Sequence, residues 1–193
     1  MIKYINLFFA YSMLGYLCEV VFCSIVDKKF RHARGFLIGP YLPIYGTAAT
    51  ILYFFTENIS NNLFITILVI LFVAGALEYF TSYILEKIFK IRWWNYSDRP
   101  FNINGRICLE NMIMFLILGL IVTYFINPHI FNIINIIPSN FLIFIDIFLI
   151  IVFIMDIILT IIALCKIDKK DYQRLEDSTY KIKQEIFKFL KLK

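Results

Sequence analysis

Histidine is almost missing from this chain: among 193 residues only His32 and His129 occur, in different connecting segments. There is no H-E-x-x-H, and Cys18, Cys23, Cys108 and Cys165 lack the paired spacing of a metal site, so no metal is expected. The cysteines lie within or at the ends of apolar runs and read as buried free thiols. Ser12 and Ser24 have no nearby histidine to activate them. The phosphate-cradling pattern G-x-x-x-x-G-K-[ST] is missing, so no ATP-hydrolysing site of that kind and no cofactor are expected. Lysine and arginine are missing from residues 57–61 and 127–140. The net charge of +5 is small and localised, which argues against a nucleic-acid partner. The first apolar run has no small-residue cleavage site and contains Glu19, so it reads as retained rather than as a leader.

What is present in excess is hydrocarbon. Hydrophobic residues make up 61%, against roughly 45–50% in soluble domains. A bilayer core takes about 20 helical residues. That length predicts spans over 4–26, 36–56, 62–88, 107–126 and 141–165. The expected fold is an all-α integral membrane protein with five transmembrane helices and the lipid bilayer as its first partner. The second span enters through Gly39 and Pro40 and carries Pro43 and Gly46, so its first turns should be bent or unwound. Proline at a helix start costs little, whereas Pro43 should need neighbours to satisfy what it frees.

The polar connections divide by charge. Lys28, Lys29, Arg31 and Arg34 follow the first span; Lys87, Lys90, Arg92, Arg99 and Arg106 follow the third; a lysine-rich tail follows the fifth. The positive-inside rule then places the N-terminus outside and the C-terminus in the cytosol of a multi-pass cell-membrane protein. Residues 1–165 would form the transmembrane domain and 166–193 a cytosolic tail. In that tail Leu175, Thr179, Ile182, Ile186 and Phe189 recur at helical spacing, the pattern of an amphipathic helix. A shift of 59 residues superposes Glu19 on Glu78, Lys28 on Lys87 and Phe30 on Phe89. This reads as two parallel helix-hairpin repeats with a fifth helix added.

Five acids lie inside these spans: Glu19, Glu78, Glu110, Asp146 and Asp156. At about 1.5 Å per residue, Glu19, Glu78 and Asp156 fall roughly 5 Å to the basic side of their midpoints, and Glu110 about 10 Å. Asp146 falls in the other half. Charge at such depth costs several kcal/mol unless paired or wet. The pattern predicts a polar, cytosol-facing cavity lined by Glu19, Glu78, Asp156 and Glu110, with Arg34, Arg99 and Arg106 as bidentate counter-ions. Locking helices together is the plainer role for such groups, and for Glu110 so is a favourable helix dipole.

The longest polar interruption is RWWNYSDRPFNINGRICLEN, residues 92–111. Trp93, Trp94 and Tyr96 suit the headgroup level, and Pro100 keeps Arg99 out of a helix. Asn104 and Gly105 invite a tight turn before the fourth span, and Asp98 sits among the arginines.

GFLIGPYLPIYG (residues 35–46) followed by RWWNYSDRPFNINGRICLEN resembles a bacterial membrane family catalogued as ABC-transporter permeases. The two motifs and the helices around them cover about residues 7–124. In the family pattern an aromatic–glycine pair follows the second motif; here Leu116 follows Phe115 and glycine arrives at Gly119, which brings close packing after Asn111 into question. The resemblance implies an ATP-dependent permease with a separate ATPase subunit, or a homo-oligomer, and names no substrate. A transporter subunit ranks first. A non-catalytic accessory subunit and an enzyme acting on lipid headgroups remain as alternatives, the latter using Arg92, Arg99 and Arg106 to hold phosphate.

Overall fold

The computed structural model describes residues 2–26, 28, 30, 35–58, 62–90 and 92–166. Arg34 and the tail lie outside the described residues. The elements are α1 (Ile2–Val26), α2 (Pro43–Asn58), α3 (Leu63–Phe89), a two-residue hairpin of β1 (Asn102–Ile103) and β2 (Ile107–Cys108), α4 (Leu109–Ile121), a π-helical turn (Val122–Ile126), α5 (Asn127–Ile136) and α6 (Ser139–Lys166). The protein is all-α and multi-pass. Among the described residues, four stretches are long and apolar enough to cross a bilayer: Ile2–Ile25, Leu63–Phe89, Leu109–Ile136 and Ser139–Lys166. The expected second span is instead a 16-residue helix, α2, about 24 Å long against a hydrocarbon core of roughly 30 Å.

The missing length of that span is the non-helical stretch 35–42. Helix begins at Pro43 itself, so Pro43 occupies the first helical position and needs no rescue by neighbours, contrary to the sequence reading. The unwound backbone is satisfied by protein. Leu42 N–H donates to the Ser12 carbonyl of α1 (2.8 Å), while Ile38 and Gly39 N–H donate to Asp156 of α6 (3.0 and 2.8 Å). Tyr41 and Thr160 hydroxyls complete the same carboxylate (2.5 and 3.1 Å). Irregular backbone is tolerated at membrane depth only when buried in protein, and Leu37, Tyr41 and Leu42 are buried.

The fourth span also differs from expectation. Residues 127–140 read as an outer loop, yet helix continues to Ile136. Pro128 has no N–H to give, and the π turn before it absorbs the register change: Asn127 N–H reaches back five residues to Val122. Asn127 is buried and accepts from the Tyr11 hydroxyl, which ties this turn to α1. Shifted by 59 residues, Ile2–Val26 falls on 61–85, most of α3, whereas Pro43–Asn58 falls on 102–117, where the hairpin displaces the start of α4.

Small residues set the helix spacings. A β-carbon on Gly46 would meet Ser12 Oγ and the Phe8 carbonyl, and one on Gly15 would lie 2.5 Å from Tyr45. Gly119 bears on Ile70 with no room for a β-carbon (2.7 Å), so close packing after Asn111 is present after all. Cys23 and Cys108 are buried as expected, while Cys18 and Cys165 are exposed on helix surfaces.

Removing the Asp156 carboxylate should strand two backbone donors in an apolar interior. Asp156→Ala is expected to cost on the order of 3–5 kcal/mol, with Asp156→Asn intermediate, read as lowered unfolding temperatures of the purified protein. An unchanged Asp156→Ala melting curve would contradict the clamp.

Candidate functional site

The polar stretch after α3 folds back along that helix. Asn104 and Gly105 both have positive φ (53° and 65°), and Arg106 N–H closes the turn on the Ile103 carbonyl at 3.0 Å. Only glycine adopts such a φ without strain, and asparagine tolerates it best among the rest. The Asn104 amide reaches the Tyr79 hydroxyl at 2.9 Å, ten residues or roughly 15 Å up α3 from Phe89. Inside the stretch, the Asn102 side chain bonds the Ser97 and Arg99 carbonyls and the Gly105 N–H. Trp94 donates its indole N–H to the Arg106 carbonyl at 3.0 Å.

Glu86 is the fastener. Arg92 grips it with Nε and Nη2 at 3.0–3.2 Å, and Arg106 Nη2 approaches it to 2.6 Å. Arg106 also donates to Ser82 (3.2 Å) and lies over the rings of Tyr79 and Tyr83. Of the expected counter-ions, Arg99 meets one of the expected acids, Glu110, whereas Arg106 goes to an acid outside that set. Arg106 serves Glu86, and Arg99 pairs with Glu110 at 3.2 Å on an exposed surface. The geometric reason is the fold-back, which brings Arg106 alongside the 82–86 face of α3. Asp98 is exposed within the loop.

Two further glutamates converge from α1 and α3. Glu78 is 6% exposed and its Oε1 accepts from the Tyr96 hydroxyl at 3.2 Å. Glu19 accepts from the Tyr45 hydroxyl at 3.1 Å and from the Cys23 thiol at 3.6 Å. Tyr45 and Tyr96 stand between the two carboxylates' surroundings, Tyr45 donating to Glu19 and Tyr96 to Glu78. Among the described residues Glu78 has no lysine or arginine partner. Tyr96, expected at the headgroups, points inward instead. Burial, and then the Glu78 carboxylate beside it, push its hydroxyl well above the usual tyrosine range, so it stays a donor.

Of the sequence-predicted residues, the fold brings together Glu19 and Glu78. It assigns Asp156, Gly39 and Pro40 to the 35–42 stretch, and Arg106, Asn104 and Gly105 to the folded-back loop. Trp93 packs on Phe36 and Phe89 beside Ala163 and Leu164. Tyr41, Tyr45 and Glu86 escaped the sequence reading, and Tyr96 was read only as an interfacial ring. Glu86 had a signal: Glu78, Ser82 and Glu86 are spaced four apart and share one helix face. The tyrosines had none beyond their place in the motifs.

This architecture, helices of spanning length around buried carboxylates, defines a multi-pass membrane protein. The chain belongs to the family described as "Putative ABC-transporter type IV", which matches residues 6–161. No curated protein matches it, and neither does any solved structure.

Glu86→Ala should release both Arg92 and Arg106. A loss of about 2 kcal/mol in stability is expected, with faster tryptic cleavage at Arg92 and Arg106 than in the parent protein. Equal cleavage rates would show that the loop is held by something else.

Proposed function

We propose that this chain is the membrane-spanning subunit of an ABC-type transport system that works with a separate ATPase polypeptide. In this reading Glu19, Glu78, Tyr45 and Tyr96 line a polar route opening toward the basic face, with that face in the cytosol and the N-terminus outside. The family membership supports a transporter-like role. The observation that carries the site is Glu78. It is a buried carboxylate in an apolar helix, and among the described residues its hydrogen-bond donor is one tyrosine hydroxyl. A single neutral donor is poor compensation for a carboxylate at this depth. Helix locking contributes well under 2 kcal/mol per polar contact, so it is a weak reason to keep the group. Asp156, Arg92 and Arg106 hold the walls of the route, since each is occupied in fastening a non-helical stretch.

The route is tested by cysteine accessibility in a background without the four native cysteines. Glu78→Cys should react with a membrane-impermeant thiol reagent applied to the cytosolic face and not to the outer face. Separately, Glu78→Gln should lower ATPase-coupled turnover of the reconstituted complex at least about tenfold while the ATPase subunit still co-purifies. Failure to label from either face, together with unimpaired turnover in Glu78→Gln, would sink the proposal.

A further inference from the structure

One further charged pair lies on an uncovered surface beside α4. Arg99 and Glu110 meet at 3.2 Å with side chains 60% and 59% exposed. Their depth follows from the antiparallel register of α3 and α4. Gly119 bears on Ile70, and the Tyr124 hydroxyl reaches Thr66. Glu110 is then about level with Tyr79, roughly 15 Å along α3 from its Phe89 end. The 27 residues of α3 extend about 40 Å, some 10 Å more than the hydrocarbon core. Centred in the bilayer, α3 places Glu110 about 10 Å inside that core. Glu78, Asp146 and Asp156, by contrast, are buried in the bundle.

The helix carrying Glu110 is also the least covered. In its most apolar window only 6% of residues are buried, against 22–28% in the other three spans. Its open face runs Glu110, Met114, Ile117 and Ile121, at the 4-3-4 spacing that seats against another helix. Lipid suits the aliphatic part of that stripe but not the carboxylate at its head, whose short side chain cannot reach the headgroups.

We infer that this face of α4 joins two copies of the chain about a two-fold axis. Arg99 and Glu110 are adjacent and opposite in charge, so the patch is complementary to itself. A two-fold rotation beside the pair sets the Arg99 of each copy against the Glu110 of the other, as an isologous contact requires. The four charges then form a closed, neutral ring covered by protein. The inference rests on exposure and depth, and holds whether or not Glu78 lines a route.

The test is cross-linking in native membranes, with Met114→Cys as the only cysteine. Oxidation should give a disulfide-linked dimer, while Met112→Cys, half-buried toward Gly75 of α3, should not. In nanodiscs the mass should be that of two chains. Arg99→Glu and Glu110→Arg should each reduce the cross-linked fraction about tenfold, and the exchanged pair in one chain should restore it. Monomeric mass without cross-linking, in a protein of parental melting temperature, overturns the inference. So does a different polypeptide bound in equal amount on this face. So would ready labelling of Glu110→Cys by an impermeant reagent without dimer formation, the sign of a water-filled vestibule.

Discussion

Everything in this bundle depends on how it satisfies backbone outside its helices. Lipid offers no hydrogen-bond partners, so each N–H of a non-helical stretch must find one in the protein. The Asp156 carboxylate does most of this for residues 35–42. It takes two backbone N–H groups and two hydroxyls, from a helix more than 110 residues further on in the sequence. With that stretch fixed, α2 can start at Pro43 and bring Gly46 and Tyr45 against α1. Tyr45 thereby reaches Glu19. The position of one tyrosine hydroxyl is thus set by a carboxylate on the opposite helix, through a segment with no regular structure.

A second non-helical stretch is solved differently. The loop after α3 satisfies itself internally, through Asn102, the Asn104–Gly105 turn and the Trp94 indole, and is then fastened as a unit by two arginines on Glu86. Arginine suits this because its planar fork can hold a carboxylate and a neighbouring group at once. Arg92 does so with Glu86, Asn95 and the Asn104 carbonyl. The consequence reaches Glu78, two turns further into the membrane, because the fastened loop carries Tyr96 to it.

Hydropathy and charge made the class of the protein legible, because hydrocarbon selects for long apolar helices regardless of their partners. The unwinding near Gly39 and Pro40 was legible for the same kind of reason, since proline chemistry is local. What escaped was pairing. Arg99, Arg106 and Glu86 all sit near one membrane face in the sequence, and nothing in their spacing says which carboxylate each arginine reaches. The hairpin register decides it, and that register rests on two residues of positive φ. The extent of α4 escaped because Asn127-Pro128 is an ordinary loop signal. A π turn lets the helix pass through, at a site where α1 supplies a buried tyrosine partner.

The intramembrane acids therefore differ in what they hold together. Asp156 and Glu86 are bound to so many donors that losing either carboxylate would unmake a loop. Glu78 organises nothing comparable: one tyrosine donates to it, and that tyrosine is positioned by the loop rather than by the glutamate. A carboxylate kept in an apolar span without a scaffold duty carries a cost that packing alone does not offset. No non-helical stretch hangs on Glu78, as one does on Asp156 and on Glu86. In the proposed route that is what distinguishes Glu78, with Tyr96 as its donor, from the acids that fasten the walls.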